Sequence, residues 1–117
     1  MSIAENVAAV KENIAAAALR CGRSPDGIKL VAATKMNDAG RVRQAIEAGV
    51  DICGENRVQE LQEKYALGAY EGCPLHFIGH LQKNKVKYIV GKVGLIHSVD
   101  SVALASEINK RAAALGI

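Results

Sequence analysis

Polar side chains that could take part in chemistry follow four short apolar runs of the chain. Lys35 comes directly after the first run, and Glu55 and Asn56 come after the second. His80 follows the third run, and His97 lies at the end of the fourth. An amine, a carboxylate, an amide and imidazoles are groups that bind aldehydes, cations and hydrogen-bonding ligands. Their regular placement indicates a binding site built from the ends of several elements.

Lys35 has the most specific chemical interpretation of these residues. Side chains alternate along a strand, so Lys35 would share a face with Val31 and Ala33, and the small Ala33 would leave room for a ligand. A partly desolvated amine loses its proton more readily, and it can then condense with an aldehyde to form a Schiff base. The alternative is a lysine that extends to solvent from the end of a strand.

Glu55 and Asn56 lie where the second apolar run passes into a predicted helix. Asn56 can donate hydrogen bonds to a ligand or accept them, and Glu55 can pair with a nearby cation. Asparagine is also a common N-cap, so helix capping is the alternative interpretation of Asn56.

The three histidines do not form a recognisable metal site. His76 and His80 are not a helical H-x-x-x-H pair, because Pro74 and the apolar run place them on a strand and just after it. We expect His76, His80 and His97 to be core or loop histidines, and we predict no metal.

Helices and strands alternate around these residues. An amphipathic helix is predicted over residues 2–21, with a capping box between Ser2 and Glu5 and with Gly22 after its end. Four strand–helix units follow, and right-handed crossovers between them would lay the strands side by side in parallel. The predicted strands are residues 28–34, 51–54, 75–79 and 95–98, and the predicted helices are residues 38–48, 57–65, 84–90 and 101–115.

Two architectures accommodate four such units: an open doubly wound sheet and half of an eight-stranded barrel. A doubly wound nucleotide-binding sheet usually carries a glycine-rich turn after its first strand, whereas residues 35–38 contain no glycine. We therefore predict an α/β fold, a parallel (βα)4 half of a TIM-type (β/α)8 barrel preceded by an N-terminal helix. The carboxyl ends of the strands form the active face in either case, so Lys35, Asn56 and His80 are expected at one edge of the sheet.

The composition is typical of a single soluble domain, which we predict to span residues 1–117. The chain carries a formal net charge of +3, and 50% of its residues are apolar. Its apolar runs are too short to cross a bilayer, no signal segment is recognisable, and its cysteines form no C-x-x-C pair, so we predict a cytoplasmic protein with reduced thiols. With one Phe, three Tyr and no Trp, the chain offers few rings on which bases could stack, and we expect no nucleic-acid binding.

Four segments resemble the pyridoxal phosphate homeostasis proteins in their order and spacing. They are residues 30–35 (LVAATK), 54–60 (GENRVQE), 76–85 (HFIGHLQKNK) and 96–101 (IHSVDS). The resemblance implies the barrel domain of alanine racemase and the cofactor pyridoxal 5′-phosphate (PLP). It implies that Lys35 holds PLP as an internal aldimine, that Asn56 lines the cofactor, and that His80 belongs to the same site.

The resemblance also implies a protein that binds, stores or hands over PLP, and so helps to balance vitamin B6 and amino-acid pools, without catalytic turnover. An amino-acid racemase is the alternative, but it would need a further acid or base, and none is assignable here. A fragment that no longer binds the cofactor is a second alternative, because complete barrels of the family are about twice as long and usually hold phosphate after strands seven and eight. The exposed edges of a half barrel favour a homo-oligomer.

Overall fold

The structure is a computed structural model that describes residues 2–117, and Met1, which the predicted domain includes, lies outside the described residues. Helices and strands alternate along the chain. The helices are α1 (Ile3–Arg20), α2 (Ala39–Ala48), α3 (Val58–Ala66), α4 (Val86–Ile89) and α5 (Val102–Ala114). The strands are β1 (Val31–Ala33), β2 (Ile52–Glu55), β3 (Leu75–Phe77) and β4 (Leu95–Ile96). Over the described residues, no helix is both long enough and apolar enough to cross a membrane.

The four strands form one parallel sheet in the order β1-β2-β3-β4. The register pairs Ala33 with Gly54, Gly54 with His76, and His76 with Leu95. A doubly wound sheet reverses its strand order at a switch point, whereas here each strand lies beside the one that precedes it in the chain. The predicted half of a parallel barrel is therefore confirmed.

The N-terminal helix begins and ends as the sequence predicts. The Oγ of Ser2 accepts a hydrogen bond from the amide of Glu5 at 3.1 Å, and the Glu5 carboxylate accepts one from the amide of Ser2 at 3.2 Å. Gly22, just after the helix, has φ 76°, a left-handed conformation that glycine adopts without steric cost. The helix packs against α2, so it supports the first strand–helix unit.

Several parts of the element prediction are wrong in length. The strands predicted over residues 75–79 and 95–98 are the shorter β3 and β4. The helix predicted over residues 84–90 is a 3₁₀ turn, Lys83–Lys85, followed by the single turn of α4. Neither Gln82 nor Lys85, the two N-cap residues, makes a side-chain capping bond, so the start of this helix lacks a common source of stability. The strand predicted over residues 28–34 is three residues long, because its ladder begins only where β2 begins.

The core lies between the helices and one face of the sheet. Cys53, Leu75 and Phe77 face it from the strands, and Leu61 and Ile89 face it from α3 and α4. The opposite face of the sheet, which forms the interior of a closed barrel, is open in this chain. Ala33 and Leu95 on this face are exposed, and Leu95 is 53% exposed.

Candidate functional site

Lys35 lies in the turn that follows β1, and its side chain is exposed. Among the described residues, its amine takes part in no ion pair. This differs from the expectation of a partly desolvated amine, because the open face of the sheet places no wall over the turn. The amine remains accessible to a ligand at the carboxyl end of β1.

Met36, the next residue, holds a strained backbone conformation. It has φ 61° and is the single described non-glycine residue with positive φ, a region that a side chain with a Cβ makes costly. Its side chain is 90% exposed, so packing does not hold it there. Instead its amide donates a 2.6 Å hydrogen bond to Oε2 of Glu60 on α3. The helix therefore restrains the turn.

A buried polar cluster lies behind this turn, and it consists of Thr34, Glu55, Glu60, Lys64 and Tyr70. Glu55, at the end of β2, is completely buried. Its Oε2 accepts hydrogen bonds from Oγ1 of Thr34 at 2.7 Å, from Nζ of Lys64 at 2.9 Å and from the hydroxyl of Tyr70 at 2.5 Å. The predicted pairing of Glu55 with a cation is confirmed, and the cation is Lys64.

Lys64 is the centre of the buried polar cluster. Its Nζ donates to the carbonyl oxygen of Thr34 at 2.6 Å, to Oε2 of Glu55 at 2.9 Å and to Oε2 of Glu60 at 2.7 Å. The side chain is only 7% exposed. A buried ammonium group is costly unless it is paired and hydrogen-bonded, and here all three of its protons have acceptors.

The cluster sets the ionisation of two of its members. Partial burial raises the pKa of Glu60, but hydrogen bonds from Lys64 and from the Met36 amide outweigh burial and hold that pKa below its usual range. Burial and the hydrogen bond to Glu55 raise the pKa of Tyr70 well above its usual range. Glu60 is therefore a carboxylate at neutral pH, and Tyr70 is a neutral phenol that donates its proton.

Asn56 does not cap the helix that follows it. The N-cap of α3 is Arg57, which makes no side-chain capping bond, so the capping interpretation of Asn56 is wrong. Within residues 2–117 the Oδ1 of Asn56 is buried and accepts no hydrogen bond. A buried acceptor without a donor costs free energy. Asn56 therefore carries an acceptor that no described residue uses.

Asn56 and His80 line one groove of about 590 Å³ between α3 and the segment that contains α4. Arg57 and Lys85 bring positive charge to the groove, and no carboxylate among the described residues lines it. The structure thus brings together two of the three predicted site residues. Lys35 lies outside this groove, at the end of the strand that pairs with β2.

Two histidines that the sequence treats separately are in contact on the open face of the sheet. The Nδ1 of His76 lies 2.9 Å from the Nε2 of His97. Burial and the neighbouring His97 lower the pKa of His76. The strand register brings the two histidines together, because His97 lies two residues beyond Leu95, which pairs with His76. Among the described residues no three potential metal-ligating side chains cluster, and the absence of a metal stays a prediction.

Glu60, Lys64 and Tyr70 were not predicted from the sequence. The available signal was the spacing of four residues between Glu60 and Lys64, which places a carboxylate and an amine together on one face of a helix. Their burial behind the turn at Lys35 depends on how α3 packs against the sheet.

No protein-family model matches the chain. The chain is 45% identical over 112 residues to the pyridoxal phosphate homeostasis protein of Aquifex aeolicus, and 41% identical over 111 residues to that of Escherichia coli. These alignments cover 96% and 92% of this chain, and 49% and 47% of the two relatives. The chain therefore spans about half the length of the curated relatives that it matches.

Solved structures agree with this similarity. A protein of Bifidobacterium adolescentis that is described as unknown is 39% identical, with a TM-score of 0.89 over 98% of this chain and 51% of that chain. PipY of Synechococcus elongatus, solved with PLP bound, is 38% identical, with a TM-score of 0.79 over 98% of this chain and 50% of that chain. With 38–45% identity to these four proteins over nearly its whole length, the chain belongs to the family of the pyridoxal phosphate homeostasis proteins.

Proposed function

We propose that this chain binds PLP through a Schiff base on Lys35 and acts as a carrier in vitamin B6 and amino-acid homeostasis. The family supports the proposal, and so does PipY, a relative solved with PLP bound. The observation that carries it is the pair of polar side chains that follow two adjacent strands. Lys35 presents an accessible amine at the end of β1, and Asn56 presents a buried oxygen without a donor just after β2.

These residues fit the cofactor. PLP, when bound, supplies an aldehyde carbon that condenses with a primary amine with loss of water. Lys35 supplies the amine, Asn56 supplies an acceptor for a donor on the cofactor, and His80 borders the same groove as Asn56.

The carboxylates near Lys35 favour a carrier over a racemase. A racemase needs a second acid or base to move the proton of the substrate. Glu55 and Glu60, the carboxylates behind the turn, both accept hydrogen bonds from Lys64. Glu55 is also completely buried, and the hydrogen bonds to Glu60 hold its pKa below the usual range, so both carboxylates are poorly suited to take a proton from a substrate.

The test is to incubate the chain with PLP, reduce with borohydride and map the modified lysines by mass spectrometry. We expect a dominant adduct on Lys35 in the parent chain and its loss in Lys35→Ala. The matched control is Lys87→Ala, which removes another exposed lysine and should leave the Lys35 adduct unchanged. Labelling spread evenly over Lys83, Lys85 and Lys87 would contradict the proposal.

A second measurement separates the carrier from the racemase. A carrier should exchange the α-hydrogen of alanine or serine for deuterium no faster than free PLP does. Exchange that exceeds free PLP and disappears in Lys35→Ala would favour the enzyme instead.

We also propose that the chain forms a homo-oligomer through its open face. Ala33 and Leu95 on this face are exposed, and β1 and β4 are the edges of the sheet. Exposed apolar faces and unpaired strand edges favour association. Analytical ultracentrifugation should show a concentration-dependent dimer or larger species that Leu95→Asp weakens. A monomer over the whole concentration range would contradict this proposal.

A further inference from the structure

We propose that Lys64, together with Glu60, positions Lys35 by anchoring the turn after β1 to helix α3. The importance of Lys35 for PLP rests on the function proposed above. The anchoring itself is a property of the chain without any ligand, so it can be tested separately.

Two anchors hold the backbone on either side of Lys35. On one side, the carbonyl oxygen of Thr34 accepts a 2.6 Å hydrogen bond from Nζ of Lys64. On the other side, the amide of Met36 donates a 2.6 Å hydrogen bond to Oε2 of Glu60. The two anchors are joined, because Nζ of Lys64 also donates to Oε2 of Glu60 at 2.7 Å. These bonds close a ring around the backbone of Lys35.

The anchors account for a conformation that local preference disfavours. A non-glycine residue at φ 61°, as at Met36, is less stable than the same residue in the ordinary helical region, because its Cβ crowds the following carbonyl oxygen. The exposed side chain of Met36 has no packing that could offset this cost. A hydrogen bond from the Met36 amide to a carboxylate is of comparable strength, so the ring is sufficient to select this turn.

The buried polar cluster acts on Lys35 from the far side of the sheet. Thr34 is buried towards α3, whereas Lys35 is exposed. Glu55 holds both Thr34 and Lys64 through its Oε2, which ties the ring to β2 as well. Because all three protons of Lys64 are occupied and its side chain is buried, it is unsuited to bind PLP itself. Lys64 therefore acts on Lys35 through the hydrogen bonds that hold the backbone of the turn.

The first experiment follows the amide of Met36 by NMR in the chain without PLP. In Glu60→Ala and in Lys64→Met, we expect the Met36 amide resonance to shift and its hydrogen exchange to become about tenfold faster or more. The matched control is Glu63→Ala, which removes an exposed carboxylate from the same helix and should leave this amide unchanged. A purely global loss of stability does not shift the resonance of the folded chain, so the chemical shift reports the anchor itself.

The second experiment measures labelling of Lys35 by PLP and borohydride in the same variants. We expect the preference for Lys35 over the other lysines to fall about tenfold in Glu60→Ala and in Lys64→Met, as for the loss of a charged hydrogen bond, and to persist in Glu63→Ala. Because Glu60 is partly exposed, Glu60→Ala decides the question if Lys64→Met does not fold.

The outcomes separate the anchor from the proposed function. A Met36 amide that is unchanged in Glu60→Ala overturns the anchor. A Met36 amide that loosens while Lys35 is still labelled with full preference overturns the positioning of Lys35. If the parent chain shows no preference for Lys35, the proposed function fails, and the Met36 amide still supports or overturns the anchor.

Discussion

The Cα of Gly79 lies directly against the backbone carbonyl of Asn56, and a Cβ at position 79 would come within 2.2 Å of that carbonyl oxygen. The chain segments that follow β2 and β3 therefore approach each other closely just beyond the strands. Since His80 is the next residue, the same contact brings it beside Asn56 at the groove that both line. Glycine at position 79 thus determines the spacing of two candidate ligand-binding residues.

Gly79→Ala should destabilise the chain because the obstacle is backbone. We expect the free energy of unfolding to fall by about 1–3 kcal/mol, as for other overpacked sites. Urea unfolding followed by circular dichroism would measure the change. Gly27→Ala is the control, since an added Cβ there meets nothing within 4 Å. Equal midpoints for the two variants would show that the backbone at Asn56 can move aside.

Tyr70→Phe should destabilise the chain through the buried polar cluster. The substitution removes the 2.5 Å hydrogen bond that the Tyr70 hydroxyl donates to Glu55, whose carboxylate is completely buried. Hydrogen bonds to charged groups contribute about 1.5–3 kcal/mol, so a loss of that order is expected in urea unfolding. Tyr65→Phe changes an exposed tyrosine and should have little effect. A similar loss of unfolding free energy in Tyr70→Phe and Tyr65→Phe would argue against a stabilising role of the buried polar cluster.

Asn56→Ala should affect ligand binding and stability in opposite ways. It removes a buried oxygen that has no donor among the described residues, so we expect unfolding free energy to stay unchanged or to rise by about 1 kcal/mol. At the same time the yield of PLP adduct on Lys35 at limiting PLP should fall. Asn84→Ala, at an exposed position, should change neither quantity. A clear loss of stability in Asn56→Ala would show that its oxygen is satisfied in the folded chain.

The contact between His76 and His97 should make stability depend on pH. Burial and His97 lower the pKa of His76 in the folded chain, so the unfolded chain binds this proton more tightly. The resulting stability is complete above the unfolded pKa of about 6.5, and it is lost as the pH falls through the folded pKa. In His97→Gln the loss of stability between about pH 7 and pH 5 should be smaller, because one cause of the lowered pKa of His76 is removed. Urea unfolding at several pH values would give the free energy of unfolding of the parent chain and of His97→Gln. The same dependence of this free energy on pH in both chains would contradict the prediction.

Much of the fold could be predicted because its signals are local. The amphipathic pattern of residues 2–21 indicated the first helix, and Ser2 and Gly22 marked helix ends that the structure confirms. The regular repeat of strand and helix then predicted a parallel sheet with sequential strands. A helix was predicted where α4 lies, but not that it would be so short, because the residue pattern does not show how weakly a helix is capped.

The candidate site could be predicted only in part. Lys35, Asn56 and His80 were predicted as site residues because strand ends meet at one edge of a parallel sheet, and their role in binding stays a prediction. The capping role considered for Asn56 is wrong, since α3 begins one residue later than an asparagine cap requires. Local preference for asparagine at N-caps does not determine which residue occupies the position.

The sequence by itself determined the alternation of elements, their caps and the residue types at the strand ends, because each follows from the order of neighbouring residues. Only the tertiary structure decided which lysine is buried and which is exposed. Lys64 and Lys35 are the same residue type, and each follows a short stretch that contains apolar residues. Lys64 is buried because α3 packs its face against Thr34 and Glu55, whereas Lys35 lies on the open side of the sheet. Burial depends on which distant elements come together, and this information is not contained in any local pattern.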